Sequence, residues 1–470
     1  MPKNNLNFVC QSCGATYKKW QGKCDACGEW NTLAEEIAEV SSSKKSLSIN
    51  ANDYLIDLKK ASLSNTSFSR FSTGVGELDR CLGIEKDGQC GMVMGSVVLI
   101  GGQPGIGKST LLTQVVAHVA RDVAKEKNKQ VLYVCGEESP AQINLRLKRV
   151  LGENKNWEDL PINYVTTTNV DIVTEIVKDK KPSILIIDSV QTLSTKDLQG
   201  PAGSIGQIKE SADRITNCVK EFNIPTFLVG HVTKDGDIAG PKILEHIVDA
   251  IMELSGERSS DLRLLRSLKN RFGPTDEVGV FRMIENGMEE VANPSGYFLE
   301  QAVQSVPGSA IVCVMEGSRP LLTEVQALVV NSQLAMPRRV GRGVELSRIQ
   351  VLAAVLQKHC GLPLGMMDIF LSTVGGFNVR ESAIDLGLAI ALASSTFNKQ
   401  VPKNSVFIGE VGLMGEIRAV SNLERRLKEV KRLGYENVYS RQTHTNLKSL
   451  FKDLGFSDKV GKVKKLTISL

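Results

Sequence analysis

The octapeptide GQPGIGKS, Gly102 to Ser109, restricts what this chain can fold into more than any other feature. It follows the apolar run Val97–Ile100 and precedes a helical pattern over Thr110–Val123, the strand–loop–helix setting that a phosphate-binding P-loop requires. Across Gly102, Gln103, Pro104, Gly105, Ile106 and Gly107 the glycines let backbone N–H groups converge on phosphates, and the helix N-terminus adds partial positive charge. Lys108 is placed to reach the β- and γ-phosphates and Ser109 to ligate Mg2+, with Thr110 completing the nucleotide-binding stretch. ATP and Mg2+ are thereby implied as ligands.

The surrounding pattern fits such a site. Short apolar runs at Val97–Ile100, Val131–Val134, Ile184–Ile187 and Thr226–Val229 alternate with helical patterns, which predicts an α/β fold with a parallel sheet wrapped by helices. Asp188 ends the run ILIID and is the expected second Mg2+ ligand, with a helix N-cap as the plainer reading. Glu137 and Glu138 follow VLYVCG, a strand expected beside that of the P-loop. One of the two should polarise the attacking water, Glu137 being preferred, and the plainer reading is that both are structural or cap the helix after Pro140. His231 ends the last apolar run, where it can sense a γ-phosphate or simply be a satisfied loop histidine.

Cys10-x2-Cys13 and Cys24-x2-Cys27 form two knuckles ten residues apart. Four thiolates at this spacing suit tetrahedral Zn2+ better than redox chemistry, since no thioredoxin-like βαβ pattern accompanies them. Trp20 and Trp30 are expected to pack beside the metal. The other six cysteines sit singly in apolar segments and read as buried thiols. The chain thus divides into a four-cysteine zinc ribbon (1–33), a Ser/Lys-rich linker (34–66), an ATPase domain (67–290) and an α+β domain (291–470). The net charge of +5 permits nucleic-acid binding without arguing for it. With no apolar run of about 18–20 residues and no signal-peptide core, a cytoplasmic location and no membrane partner are expected.

The ribbon, this P-loop and the pentapeptide Lys269-Asn270-Arg271-Phe272-Gly273 together resemble the bacterial RadA/Sms family, as do Phe71–Gly83, Tyr133–Ile143, Gly230–Asp249 and the C-terminal domain. The resemblance spans nearly the whole chain. One departure is the segment Ile84–Met94, longer and more polar than the family's glycine-rich turn. Membership implies a RecA-like ATPase core and a DnaB-like homo-hexameric ring that moves on single-stranded DNA, migrates branched recombination intermediates and works with a recombinase. Lys269 and Arg271 would then reach a neighbouring subunit's γ-phosphate as an arginine finger does; two surface cations in a turn is the alternative.

Two glycine-containing stretches, Leu198–Lys209 and Lys234–Lys242, follow core strands where a ring motor grips DNA, so Lys209, Lys234 and Lys242 are candidate backbone contacts. Arg338, Arg339, Arg342 and nearby Arg348 form the densest basic cluster, either a phosphate track or an ordinary solvated surface. The C-terminal domain resembles the Lon proteolytic domain. In that likeness Ala383 falls at the serine position, Ser382 one residue off register, and Glu424 at the lysine position, so the catalytic dyad is expected to be missing and the domain to serve as a scaffold.

Overall fold

The apolar runs become central strands of one large sheet in the computed structural model of this chain, which describes residues 6–10, 15–37, 69–85, 88–152, 157–230, 244–256, 261–299, 306–374, 379 and 381–456. Cys13, His231, Lys234 and Lys242 lie outside the described residues. Two units are present, Met1–Glu290 and Val291–Leu470. Among the described residues no helix is long and apolar enough to cross a membrane.

The first unit opens with β1 (Leu6–Cys10), β2 (Thr16–Tyr17) and β3 (Leu33–Ile37), an antiparallel module in the order β2-β1-β3. After β4 (Arg70–Phe71), α1 (Gly76–Leu82) and β5 (Met92–Val93) comes the α/β core. It runs β6 (Val97–Gly101), α2 (Lys108–Val123), β7 (Val131–Cys135), α3 (Pro140–Leu151), β8 (Ile162–Val165), α4 (Val170–Lys180), β9 (Ile184–Asp188), α5 (Ile205–Glu221) and β10 (Thr226–Val229). Four further strands follow: β11 (Ala250–Ser255), β12 (Leu262–Asn270), β13 (Val278–Ile284) and β14 (Gly287–Glu290). The sheet order is β14-β13-β12-β11-β6-β10-β9-β7-β8, parallel from β11 to β8 and antiparallel from β11 to β14. The strand carrying Glu137 is therefore not beside β6, as expected from the sequence; β10 and β9 lie between them.

The parallel strands are continuously apolar because both faces are covered. Val98 and Ile100 face α1 and α2 with Tyr133, Ile186 and Phe227, whereas Val97 and Leu99 face α4 and α5 with Leu132, Ile187 and Leu228. Burying each such side chain stabilises the fold by roughly 1.5–3 kcal/mol. Ser139 caps α3 through a reciprocal box with Gln142, and Pro140 opens its first turn. Neither Glu137 nor Glu138 is needed for that cap.

The second unit holds α6 (Pro294–Leu299), β15 (Ser309–Glu316), β16 (Arg319–Asn331), β17 (Arg339–Arg342), α7 (Leu346–Cys360), β18 (Met367–Thr373), α8 (Asp385–Phe397), β19 (Ser405–Ile408), β20 (Glu410–Val411), β21 (Ile417–Arg418), α9 (Leu423–Arg432), β22 (Asn437–Ser440) and α10 (Leu447–Asp453). Its main sheet has the order β17-β18-β16-β15-β19-β22. The apolar helix α8 packs across this sheet. Arg426 is fully buried, paired with Glu381 and donating to the carbonyls of Cys313 and Ser421. Arg426→Met should lower stability by about 3–5 kcal/mol, since it strands the Glu381 charge; calorimetry showing an unchanged melting temperature would contradict this.

Candidate functional site

The C-terminal ends of β6, β7 and β9 gather the polar residues of the α/β core. The loop leaving β6 is shaped by close approaches that only glycine permits. A Cβ on Gly102, at φ +154°, would lie 2.5 Å from the Leu254 carbonyl, and one on Gly107, at φ +115°, would lie 2.1 Å from the Met288 methyl. Arg263, on β12, donates from Nε to the Ile106 carbonyl at 3.2 Å and braces the loop from the next sheet segment. Gln103, Pro104 and Gly105 are exposed at the loop tip, while Thr110 is buried in the first turn of α2.

Lys108 is buried, and its ammonium donates to the carbonyls of Gly102 at 2.8 Å and Gln103 at 3.1 Å. Burial holds it below the ordinary lysine range, although Asp188 and Glu137 oppose that shift. Asp188 accepts from the Tyr133 hydroxyl at 2.9 Å and from Ser109, yet burial still raises its carboxyl above the usual aspartate value. Lys108, Ser109 and Asp188 are thus brought together by β6, α2 and β9. Oxygen ligands at Ser109 and Asp188 are a donor set that fits Mg2+.

Glu137 and Glu138 part company at this point. The amides of Gly136 and Glu137 donate to the Asp188 carbonyl at 2.7 and 3.2 Å, tying the β7 loop to β9. Glu137 accepts from Ser189 and remains exposed near Lys108, whereas Glu138 is bound to Arg146 of α3 at 2.6 Å. The sequence drew no attention to Tyr133 or Ser189, although a tyrosine inside the apolar run VLYV was a usable signal for a buried polar partner.

Lys269 lies near the end of β12 and Arg271 just beyond it. Lys269 donates to the carbonyls of Glu245 and Val248, and Arg271 pairs with the buried Asp249 at 3.2 Å, with its side chain about half exposed. Asn270 points the other way, donating to the Leu82 carbonyl at 3.0 Å, and Arg70 holds the Phe272 carbonyl at 2.6 Å. Arg70 also holds the Gly91 carbonyl at 2.8 Å, so the polar segment after Gly83 is fastened to the pentapeptide. Sequence reasoning assigned no role to Asp249, Arg70 or Asn270, whose partners Val97, Phe272 and Leu82 lie far away in the chain.

In the cysteine module the Sγ atoms of Cys10, Cys24 and Cys27 lie within 4.8 Å of one another. Zinc–thiolate bonds of about 2.3 Å in a tetrahedron imply sulfur separations of about 3.8 Å, so the cluster fits that ion. The Tyr17 hydroxyl, 3.3 Å from Cys24 Sγ, lowers that thiol to about 6, which favours the thiolate that binds metal. Trp20 and Trp30 do not pack against the cluster as expected: they are 59% and 69% exposed. Of the other cysteines, Cys81, Cys135, Cys218 and Cys313 are buried, whereas Cys90 and Cys360 are only half-buried.

The expected basic contacts are rearranged. Lys209 is exposed, but on helix α5, which begins at Ile205, so the candidate loop is shorter than the sequence suggested. The arginine cluster splits. Arg339 spends its guanidinium on the carbonyls of Leu364, Met367 and Arg338, and Arg348 pairs with Asp385 at 2.9 Å, leaving Arg338 and Arg342 exposed. Ala383 is buried, Ser382 donates to Glu410 at 2.8 Å, and Glu424 is exposed on α9.

Residues 8–35 match a family model described as a rubredoxin metal binding domain, and residues 89–237 match one described as an AAA domain. Curated relatives cover almost the full length. DNA repair protein RadA of Pseudomonas aeruginosa is 44% identical over 93% of this chain and 93% of its own. The RadA proteins of Brucella abortus and Aquifex aeolicus are 41% and 43% identical over 97% and 93% of this chain, and 95% and 94% of theirs. Among solved structures, an ATPase domain aligns with 51% of this chain and 96% of its own at 15% identity and a TM-score of 0.40, too slight a likeness to carry an argument. With a P-loop fastened to a largely parallel sheet, a metal-fitting cysteine module at its head, and relatives above 40% identity along nearly its entire length, the chain belongs to the RadA family.

Proposed function

We propose that this protein is an ATP-driven, helicase-like motor of DNA repair and recombination, acting in the cytoplasm on single-stranded and branched DNA as a homo-hexamer together with a recombinase. The observation that carries the reading is the convergence of Lys108, Ser109, Asp188 and Glu137 at one end of the parallel sheet. The names of the RadA relatives support the role in DNA repair.

In this reading the loop Gly102–Thr110 wraps the phosphates, and Lys108 exchanges two loop carbonyls for β- and γ-phosphate oxygens. Mg2+ bound with the nucleotide neutralises phosphate charge, and Ser109 and Asp188 would hold it. Glu137 orients the attacking water and accepts its proton. Lys269 and Arg271 act on the nucleotide of an adjoining copy. Cys10, Cys13, Cys24 and Cys27 bind zinc; purified protein should carry one zinc per chain, and Cys24→Ser should release it, as read by atomic absorption. Retention of full zinc in that variant would contradict the ligand set.

The second unit is read as a Lon-protease-like scaffold that aids ring assembly and DNA contact. The bond from Ser382 to Glu410 and the exposed Glu424 favour a domain without a serine–lysine pair. ATP-dependent cleavage of casein that is lost in Ser382→Ala would favour a protease instead.

The deciding experiment is ATP turnover with and without single-stranded DNA, paired with sizing in nucleotide. Turnover indifferent to DNA, from a chain that stays monomeric, would sink the motor. DNA affinity itself should fall with salt, at a log–log slope of about −0.7 per phosphate neutralised on single strands. A flat response measured by fluorescence anisotropy would remove the backbone contacts assigned to Lys209, Lys234, Lys242, Arg338 and Arg342, and Arg339, already engaged with carbonyls, should contribute least.

A further inference from the structure

The cysteine module has a very small interior. Cys10, Cys24 and Leu33 form it, with Phe8, Ala15 and Tyr17 packed around them. Neither tryptophan takes part, although burying an indole is the largest apolar gain open to so small a domain. Both are instead exposed and both reach Gly22: the nearest ring carbons of Trp30 and Trp20 lie 3.7 and 3.8 Å from where a Cβ on that residue would be. Single exposed apolar side chains need no explanation, but two large exposed rings converging on one residue without a side chain form an aromatic slot.

The charge beside the slot is cationic. Lys23 Nζ sits 5.7 Å from the Trp30 ring centroid, and Lys18 and Lys19 are exposed immediately before Trp20. Asp25 is engaged by the Gln21 amide at 2.8 Å, and Glu29 is also exposed. Aromatic faces alternating with lysines are the chemistry of a single-strand groove, in which bases stack on rings while ammonium groups meet the phosphates.

We propose that Trp20 and Trp30 grip an unpaired base of single-stranded DNA between or upon their indoles, with Lys23 on the adjoining phosphate. The module is then a second DNA contact, apart from any strand held by the ATPase unit. The identity of the strand rests on the motor reading; the slot itself rests on the two rings.

The test uses full-length protein carrying Trp157→Phe, so that all indole emission comes from Trp20 and Trp30, titrated with oligo(dT) and with duplex DNA. Oligo(dT) should quench the emission and duplex should not. Trp20→Ala/Trp30→Ala should weaken oligo(dT) binding about five- to a hundredfold with zinc content unchanged, and Trp20→Phe/Trp30→Phe should recover part of the loss. Oligo(dT) binding at full affinity in the alanine variant, with emission unmoved by DNA in the tryptophan-bearing chain, overturns the slot while leaving the motor intact, and would mark the rings as a protein-binding face. If the parent chain binds no oligo(dT) at all, the motor reading and the slot both fall.

Discussion

Lys108→Ala should lower ATP turnover by at least on the order of 10^2–10^3-fold and abolish any DNA unwinding that depends on it. The ammonium is buried at the base of the loop, and the charges that act on it are the carboxylates of Asp188 and Glu137, so its loss leaves phosphate charge uncovered. The substitution also removes two hydrogen bonds to loop carbonyls, a change of about 1 kcal/mol each. The fold should therefore persist, and circular dichroism melting is the control. Wild-type turnover in a folded variant would refute the P-loop assignment.

Arg271→Ala should keep ATP affinity yet lose DNA-stimulated hydrolysis by on the order of 10^3-fold, the scale of a missing arginine finger. Of the two cations, Arg271 is better placed to leave its own chain, because its side chain is about half exposed and its second contact, to the His246 carbonyl, is long at 3.4 Å, whereas Lys269 is less exposed and engages the Glu245 and Val248 carbonyls. Mixing the Arg271→Ala and Lys108→Ala chains decides whether it acts across subunits. A Lys108→Ala copy still carries Arg271 and can complete the intact P-loop of its neighbour, so turnover should return in the mixture. Two inactive chains that stay inactive together would count against action in trans.

The sequence revealed those features whose cause is local. The glycines, lysine and serine of the P-loop and the four apolar strands are each specified within a dozen residues. What stayed hidden depends on partners more than a hundred residues apart, such as Arg70 on Phe272, Arg263 on Ile106 and Arg426 on Cys313. The same limit explains the misjudged arginine cluster. Adjacent positive charges look equivalent in a string, but Arg339 is consumed by carbonyls of a neighbouring strand and turn, whereas Arg342 stays in solvent. Likewise the sequence offers both Glu137 and Glu138 with no more than a preference for the first, until Arg146 is seen to claim Glu138. The tryptophans misled for the opposite reason: a small domain ought to bury its rings, and this one does not.

Asp249 takes part in more than one arrangement at once. Its one oxygen meets Arg271 at 3.2 Å and Lys220 at 3.0 Å, its other accepts from the amide of Val97 at 3.1 Å, and its own amide donates to the Val97 carbonyl at 2.9 Å. Val97 is the root of the strand that ends in the phosphate cradle. Drawing the guanidinium outward would leave Lys220 to balance alone a buried anion that is bolted to that root. In the ring proposed above, a pull at the rim of one copy would thus reach the footing of its own fuel site, which would let successive copies take turns instead of firing independently.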